Sequence, residues 1–198
     1  MVEFTRYKTY EEYLTAQIDA GTKKKTGFWI KPHTIDMLVK KENRPIESVI
    51  CHGVRTGRES EKFAEYATNV VGTEISRESI EYNKPNYKKS TVVEWDFNKQ
   101  NLEWIGKFDI VYSNCLDHAY DPLETLEVWI DQLKDNGTLC LDCVNFADAP
   151  GASDWDPYQD TPDHIEEYVT NVFSMKLKYS FWSLGGKNNE TKILAFTK

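Results

Sequence analysis

The 198 residues include 24 basic and 32 acidic side chains, a formal charge of −8, with 40% hydrophobic and 28% charged residues. These are the proportions of a folded domain with its own core, not of a disordered chain, and the negative field argues against non-specific binding to phosphate backbones. No apolar run reaches the ~18–20 residues needed to cross a bilayer, and MVEFTRYKTYEEYL lacks the apolar centre of a signal peptide, so a soluble, cytoplasmic protein is expected.

Taken in chain order, Tyr10, Tyr13, Leu14, Gln17 and Ile18 recur at helical spacing between Tyr7 and Ala20, with Gly21 as the stop. After the loop GTKKKTGFW a second helix is predicted from Thr34 to about Glu42, and Arg44-Pro45 punctuates before the first strand. Strands and helices then alternate. ESVICHG is a strand, RESEKFAEYA a helix, NVVGTEIS a strand and SRESIEYN a helix capped by Ser76. STVVEWDF and FDIVYSN are the third and fourth strands. DPLETLEVWIDQLKDNG reads as a helix capped by Asp121, with Pro122 first and Glu124 completing a capping box. Its apolar face is Leu123, Leu126, Ile130 and Leu133, and Asn136-Gly137 is its end.

TLCLDCV is a fifth strand, which sends Cys140 and Cys143 to opposite faces and argues against a redox pair or a zinc site. With Cys51 and Cys115 they are read as reduced thiols in or beside apolar strands, and no metal is expected. The loop NFADAPGASDWDPYQD leads to the helix TPDHIEEYVTNVF. MKLKYSFW and ETKILAFTK, joined at GGKNN, then form an antiparallel hairpin. The pattern predicts an α/β fold: a mostly parallel sheet with an antiparallel edge in residues 48–198, preceded by a helical extension in residues 1–47.

Ligands of open α/β sheets sit outside the carboxyl ends of the strands. The first strand ends in His52, Gly53, Val54, Arg55, Thr56 and Gly57, where glycine permits close backbone approach and the next helix offers free N–H groups. The second ends at Glu74 and Ile75, about 20 residues further on, a spacing suited to the hydroxyls of a ribose. Asp96 and Phe97 end the third strand, where an acid can accept from an adenine amino group beside an apolar wall. Ser113 and Asn114 end the fourth, with His118 just beyond.

In these residues the stretch Ser48–Lys198 resembles the class I S-adenosylmethionine-dependent methyltransferases. VICHGVRTGRE is similar to that family's first motif, Glu74 to its ribose-binding acid, Asp96-Phe97 to its adenine-side motif, and FDIVYSNCLDHAYDP to its strand-four region. The resemblance implies a Rossmann-like, seven-stranded sheet ending in the hairpin, and S-adenosylmethionine as cofactor. It also implies a cofactor set of His52, Gly53, Val54, Arg55, Thr56, Gly57, Glu74, Ile75, Asp96, Phe97, Ser113 and Asn114. Two residues depart from the pattern: Cys51 stands where the family has an acid that helps hold the methionine end, and Arg55 replaces a glycine. Arg55 either binds the cofactor's carboxylate in a bidentate manner or turns outward to pair with an acid such as Glu59.

His118 is a candidate general base or a residue lining the cofactor pocket, while the rings of His52 and His164 are read as structural or surface groups. Asp117, Asp142 and Asn145 fall near the expected mouth without an assigned role. Tyr10, Tyr13, Phe28, Trp29, Trp155 and Tyr158 either cover the site or pack the extra helices. Ser113-Asn114-Cys115-Leu116 lacks the proline pair of enzymes that methylate exocyclic amines of DNA bases. The expected activity is therefore methyl transfer to a small molecule. The alternatives are a non-catalytic module that binds the cofactor or its product, and an NAD-dependent oxidoreductase. Against the oxidoreductase stand the missing G-x-G-x-x-G and the terminal hairpin.

Overall fold

A computed structural model describes residues 7–27, 29, 31–144, 156–158, 160–184 and 190–198. Seven strands form one sheet: β1 Ser48–His52, β2 Asn69–Glu74, β3 Thr91–Glu94, β4 Phe108–Ser113, β5 Leu133–Val144, β6 Lys176–Leu184 and β7 Glu190–Thr197. They lie in the order β3-β2-β1-β4-β5-β7-β6. The first five pair in parallel, and β7 runs antiparallel between β5 and β6. The expected Rossmann-like sheet with its reversed hairpin is thus the fold observed. The turn residues GGKNN and the loop segment 145–155 lie outside the described residues.

Among the described residues six α-helices, α1 Tyr10–Lys23, α2 Pro32–Glu42, α3 Arg58–Phe63, α4 Arg77–Asn83, α5 Pro122–Asp131 and α6 Pro162–Val172, accompany the sheet. Alternation along the strands gives the sheet two cores. Ile50, Val111, Leu139 and Leu141 face Leu126 and Trp129 of α5 with Ile165 and Val169 of α6. Val49, Cys51, Ile110 and Cys140 face Ile35 and Leu38 of α2 with Phe63 of α3. Cys140 and Cys143 fall in different cores, as a strand requires, and all four cysteines are free thiols.

At the base of the sheet Asp109 Oδ2 accepts from the backbone N–H groups of Glu47 and Ser48 at 3.0 and 2.9 Å. Arg44 and Lys134 pair with the same carboxylate at 3.3 and 3.0 Å. Burial pushes this carboxyl up, but the bonds from Lys134 and Ser48 outweigh it and hold Asp109 at about 2.

Several boundaries differ from the sequence reading, among them the end of β3 at Glu94, two residues before Asp96, and the start of β5 at Leu133. Helix α1 passes through Gly21 to Lys23. Glycine is accommodated there because a Cβ would stand 2.8 Å from Ser76 Cβ and 3.0 Å from Glu74 Oε1, so close packing, not termination, accounts for it. Helix α5 stops at Asp131, short of Asn136-Gly137. The carbonyls of Asp131 and Gln132 accept from Gly106, Lys107 and Phe108, which draws the chain into the sheet early, and Leu133 pairs with Phe108 in β5. The buried face of α5 is accordingly Pro122, Thr125, Leu126 and Trp129. Helix α3 ends at Phe63, well before the end of RESEKFAEYA.

Candidate functional site at the carboxyl ends of the strands

Strand β1 leads into a tight turn. Gly53 and Gly57 both have φ +72°, and Arg55 has φ 42°, a left-handed conformation that costs a side-chain-bearing residue. The Val54 N–H bonds to the Thr73 carbonyl at 3.0 Å, and the Gly57 N–H closes the turn on the Val54 carbonyl at 2.8 Å. Val54 and Thr56 are buried. A Cβ on Gly53 would lie 2.7 Å from Cys115 Sγ, and one on Gly57 would lie 2.3 Å from the Tyr87 ring. The turn therefore admits only glycine at both positions, with the Cys115 thiol against the first.

The side chains diverge from this turn. His52 points into the core, stacked on Trp129 with ring centroids 4.9 Å apart. Its Nε2 donates to Gln132 Oε1 at 2.9 Å and its Nδ1 accepts from the Thr73 hydroxyl at 3.0 Å. Burial lowers this imidazole to about 4, so it stays neutral and its ring is structural; only its backbone belongs to the turn. The Arg55 N–H donates to Glu74 Oε2 and its carbonyl accepts from the Tyr87 hydroxyl, both at 2.9 Å. Its guanidinium passes close to Gly27 and makes no ion pair with Glu59 among the described residues.

Glu74 ends β2 at 5% exposure. Burial raises its pKa, opposed by the Ser76 N–H and by Arg55. Its Oε1 accepts from Ser76 N–H at 2.9 Å, so each oxygen holds one backbone donor and retains one lone pair. Ile75 beside it is half-buried. Past β3, Asp96 Oδ1 accepts from the Asn98 N–H at 3.0 Å and Oδ2 from the Tyr10 hydroxyl. Phe97 stands edge-on to Trp129 at 5.5 Å. Ser113 is buried and its hydroxyl donates to the His52 carbonyl at 3.3 Å. Asn114 Nδ2 reaches Glu59 Oε1 at 3.4 Å.

His118 follows in a 3-10 turn. Its Nδ1 donates to Gln17 Oε1 at 2.9 Å, and its Nε2 lies 3.4 Å from Asp156 Oδ1. Asp117, His118 and Asp156 offer ligand atoms within 4.8 Å of one another. Tyr13 donates to the His118 carbonyl at 2.9 Å and accepts from Asn98 Nδ2 at 2.8 Å. Helix α1 thus lies across the strand ends, touching Glu74 through Gly21, Asp96 through Tyr10 and His118 through Tyr13 and Gln17.

Residues 48–198 match the model of a family described as a methyltransferase domain. The chain belongs to the methyltransferase-domain family. Its fold is close to a chain of the complex between the Haloferax volcanii Trm112 methyltransferase activator and a methyltransferase, with TM-score 0.68, 14% identity, and 94% and 97% of the two chains covered. It is similar to the N-methyltransferase NodS of Bradyrhizobium japonicum WM9 bound to S-adenosyl-L-homocysteine (0.64, 11%, 83% and 84%). Magnesium protoporphyrin IX methyltransferase of Synechocystis PCC 6803, also with that product bound, gives 0.63, 17%, 92% and 85%. At these identities the likeness is one of fold. Protein SCO2, mitochondrial, of Saccharomyces cerevisiae is 32% identical over 78 residues, 38% of this chain and 23% of that one, and carries no argument.

Two carboxylates of this methyltransferase were named from the sequence without a binding role, Glu59 only as an alternative partner of Arg55 and Asp142 as a residue near the expected mouth. Glu59, on the first turn of α3, is 5% exposed, and its Oε2 has no hydrogen-bond partner among the described residues. Burial lifts it from 4.5 to about 7, against pulls from Arg55 and Asn114. Asp142, near the end of β5, is also 5% exposed with Oδ1 unpartnered; its Oδ2 accepts from the Tyr112 hydroxyl at 3.3 Å. Burial pushes the Cys51 thiol up, and the Glu59 charge adds to it. Nothing in R-E-S-E announced this, because Glu59 and Glu61 look equally solvent-facing until α3 is docked. Phe28, Asn145 and Trp155 lie outside the described residues.

Proposed function

We propose that this protein is an S-adenosylmethionine-dependent methyltransferase acting on a small molecule. What carries the reading is the convergence of Gly53, Glu74 and Asp96 at the ends of β1, β2 and β3 within a domain of the methyltransferase family. The residues fit the cofactor. Glu74 has a lone pair on each oxygen for the ribose hydroxyls, and the orphaned Glu59 Oε2 is an acceptor for the α-ammonium of the methionine end, close to Asn114. Arg55, free of ion pairs among the described residues, is placed on the same loop to receive the α-carboxylate. When bound, the cofactor supplies a methyl group made electrophilic by its sulfonium.

The chain's own contribution is to hold an acceptor atom in line with that methyl. The acceptor would meet it beyond β4 and β5, where Asn114, Asp117 and Asp142 stand and where His118, fixed by Gln17 and Asp156, lines the wall. Helix α1 restricts this mouth, and with the −8 charge it favours a small acceptor over nucleic acid. Residues 1–47 act on this reading as a lid on the domain of residues 48–198.

Calorimetry with S-adenosylmethionine, S-adenosylhomocysteine and NAD tests the proposal, because a ligand that binds only the native state also stabilises it. Binding of both sulfur compounds and weakening by Arg55→Ala are expected. A response to NAD alone would overturn the reading, and binding without turnover over a panel of acceptors would replace it with a non-catalytic module.

A further inference from the structure

Asn98, just past the end of β3, stands in no motif yet uses every hydrogen-bonding position of its amide. Its Nδ2 donates to Asp96 Oδ1 at 2.7 Å and to the Tyr13 hydroxyl at 2.8 Å. Its Oδ1 accepts from the Tyr120 N–H at 3.0 Å and from the Thr125 hydroxyl at 2.8 Å. A backbone N–H can only donate, so Tyr120 fixes which end of the amide is oxygen. One side chain therefore ties together the turn after β3, helix α1, the segment before α5 and α5 itself.

The consequence falls on Asp96. Its Oδ1 takes the Asn98 N–H at 3.0 Å as well as the Asn98 amide, which occupies both lone pairs of that oxygen. The Tyr10 hydroxyl of α1 occupies one of the two on Oδ2. Tyr10 is itself wedged in place, edge-on to Tyr120 at 5.0 Å and tilted against Tyr13 at 5.4 Å, with the Lys99 ammonium 3.9 Å from its ring centroid. Held on both oxygens, the carboxylate is fixed in direction and keeps one acceptor position open. A polar group fixed in this way discriminates, because a ligand without the matching donor leaves it unpaired, whereas a loose one turns to water.

We infer that Asn98 and Tyr10 are positioning residues that hold Asp96 with a single open acceptor for the exocyclic amine of adenine, so that helix α1 helps to select the base of the cofactor. The inference rests on the methyltransferase reading above and adds to it the residues that set its base specificity. Both residues act through Asp96, so their loss should change the choice between bases and not only the strength of binding.

Calorimetry on the full chain, with S-adenosylhomocysteine and with its analogue that carries purine in place of adenine, provides the test. The analogue lacks only the amino group. The parent should bind S-adenosylhomocysteine about tenfold tighter or more, the cost of an acceptor left unpaired. Asn98→Asp keeps the shape and the bonds from Tyr120 and Thr125 but removes the amide donor to Asp96. Tyr10→Phe keeps the ring and removes the hydroxyl. Each should shrink the preference to about threefold or less, the remainder expected once Asp96 can turn to water. A parent without preference would overturn the inference. So would variants that bind both ligands more weakly at an unchanged ratio, which is what a purely structural role gives. If one variant fails to fold, the other decides, and the preference of the parent tests the inference in either case. The response of the parent to S-adenosylhomocysteine, measured first, separates the two failures. If it is present and the ratios do not behave as stated, the positioning role falls and the methyltransferase reading stands. If it is absent, both fall.

Discussion

Replacing Glu59 by glutamine should make the protein more stable and its cofactor binding weaker. In the folded chain the Glu59 carboxyl sits at about 7 against 4.5 outside it, so the fold favours the neutral acid. Its contribution to stability is fully present below pH 4.5 and is lost as the pH rises through 7. At about 1.4 kcal/mol for each pH unit, the ceiling at pH 8 is about 3 kcal/mol, and relaxation around the site reduces it to about 1–3 kcal/mol. Glutamine keeps the shape and the bond from Asn114 Nδ2 while removing the buried charge. With about 2–4 °C per kcal/mol for a domain of this size, Tm at pH 8 should rise by roughly 3–10 °C, and the gain should vanish near pH 4. The amide, however, cannot offset an ammonium, and calorimetry should show S-adenosylmethionine binding about tenfold weaker or worse. A variant that binds the cofactor as the parent does would refute the ammonium role. A variant with no pH-dependent stability gain would refute the claim that Glu59 is buried without a cation.

Gly21→Ala should lower Tm by a few degrees. Overpacking on Ser76 and Glu74 costs about 1–3 kcal/mol, only partly offset by about 1 kcal/mol of helix propensity. A rise in Tm would mean that α1 does not press on Glu74. Asp109→Asn should cost about 1–3 kcal/mol in urea unfolding at pH 7 by leaving Lys134 without its carboxylate and Arg44 with Glu42 alone. Because Asp109 is held down at about 2, its contribution is present above pH 3.8 and is lost as the pH falls through 2, so parent and variant should converge in acid. Titration of native thiols with a disulfide reagent should find Cys115 reacting slowly and the buried Cys51, Cys140 and Cys143 reacting only on unfolding. S-adenosylhomocysteine should protect Cys115, whose sulfur lies against the Gly53 carbonyl at 3.5 Å.

What the sequence disclosed was whatever depends on neighbours along the chain. The strands showed as apolar runs closed by glycine or acid. The caps at Ser76 and Asp121 showed as side chains able to accept from the N–H groups that follow, and the hairpin showed as two strand runs around a short turn. Gly21 misled because glycine has two uses, ending a helix or letting one pack closely, and only the position of Glu74 and Ser76 tells them apart. The end of α5 was hidden for a similar reason: the apolar period of Leu133 suits a helix and a strand end equally, and the hydrogen bonds from Gly106, Lys107 and Phe108 decide.

The site itself divides along the same line. Glu74 was legible because a strand end fixes both the place and the direction of its last side chain, and Asp96, two residues past the end of β3, because of the order in which the motifs follow one another. Cys51, by contrast, suggested a missing acid only so long as the acid had to come from β1. Cys51 is fully buried in a core with Ile35, Phe63 and Tyr112, where an ionised group would have no water and no donor. Helix α3 brings Glu59 in from outside the strand, beside Asn114 and within the field of Arg55. On the proposed reading the two departures in the first motif are one substitution of means: a carboxylate delivered by the helix in place of one on the strand, with a guanidinium in the turn that moderates it. A loop built this way would retain the charges the cofactor needs, so Cys51 and Arg55 do not by themselves argue for loss of activity.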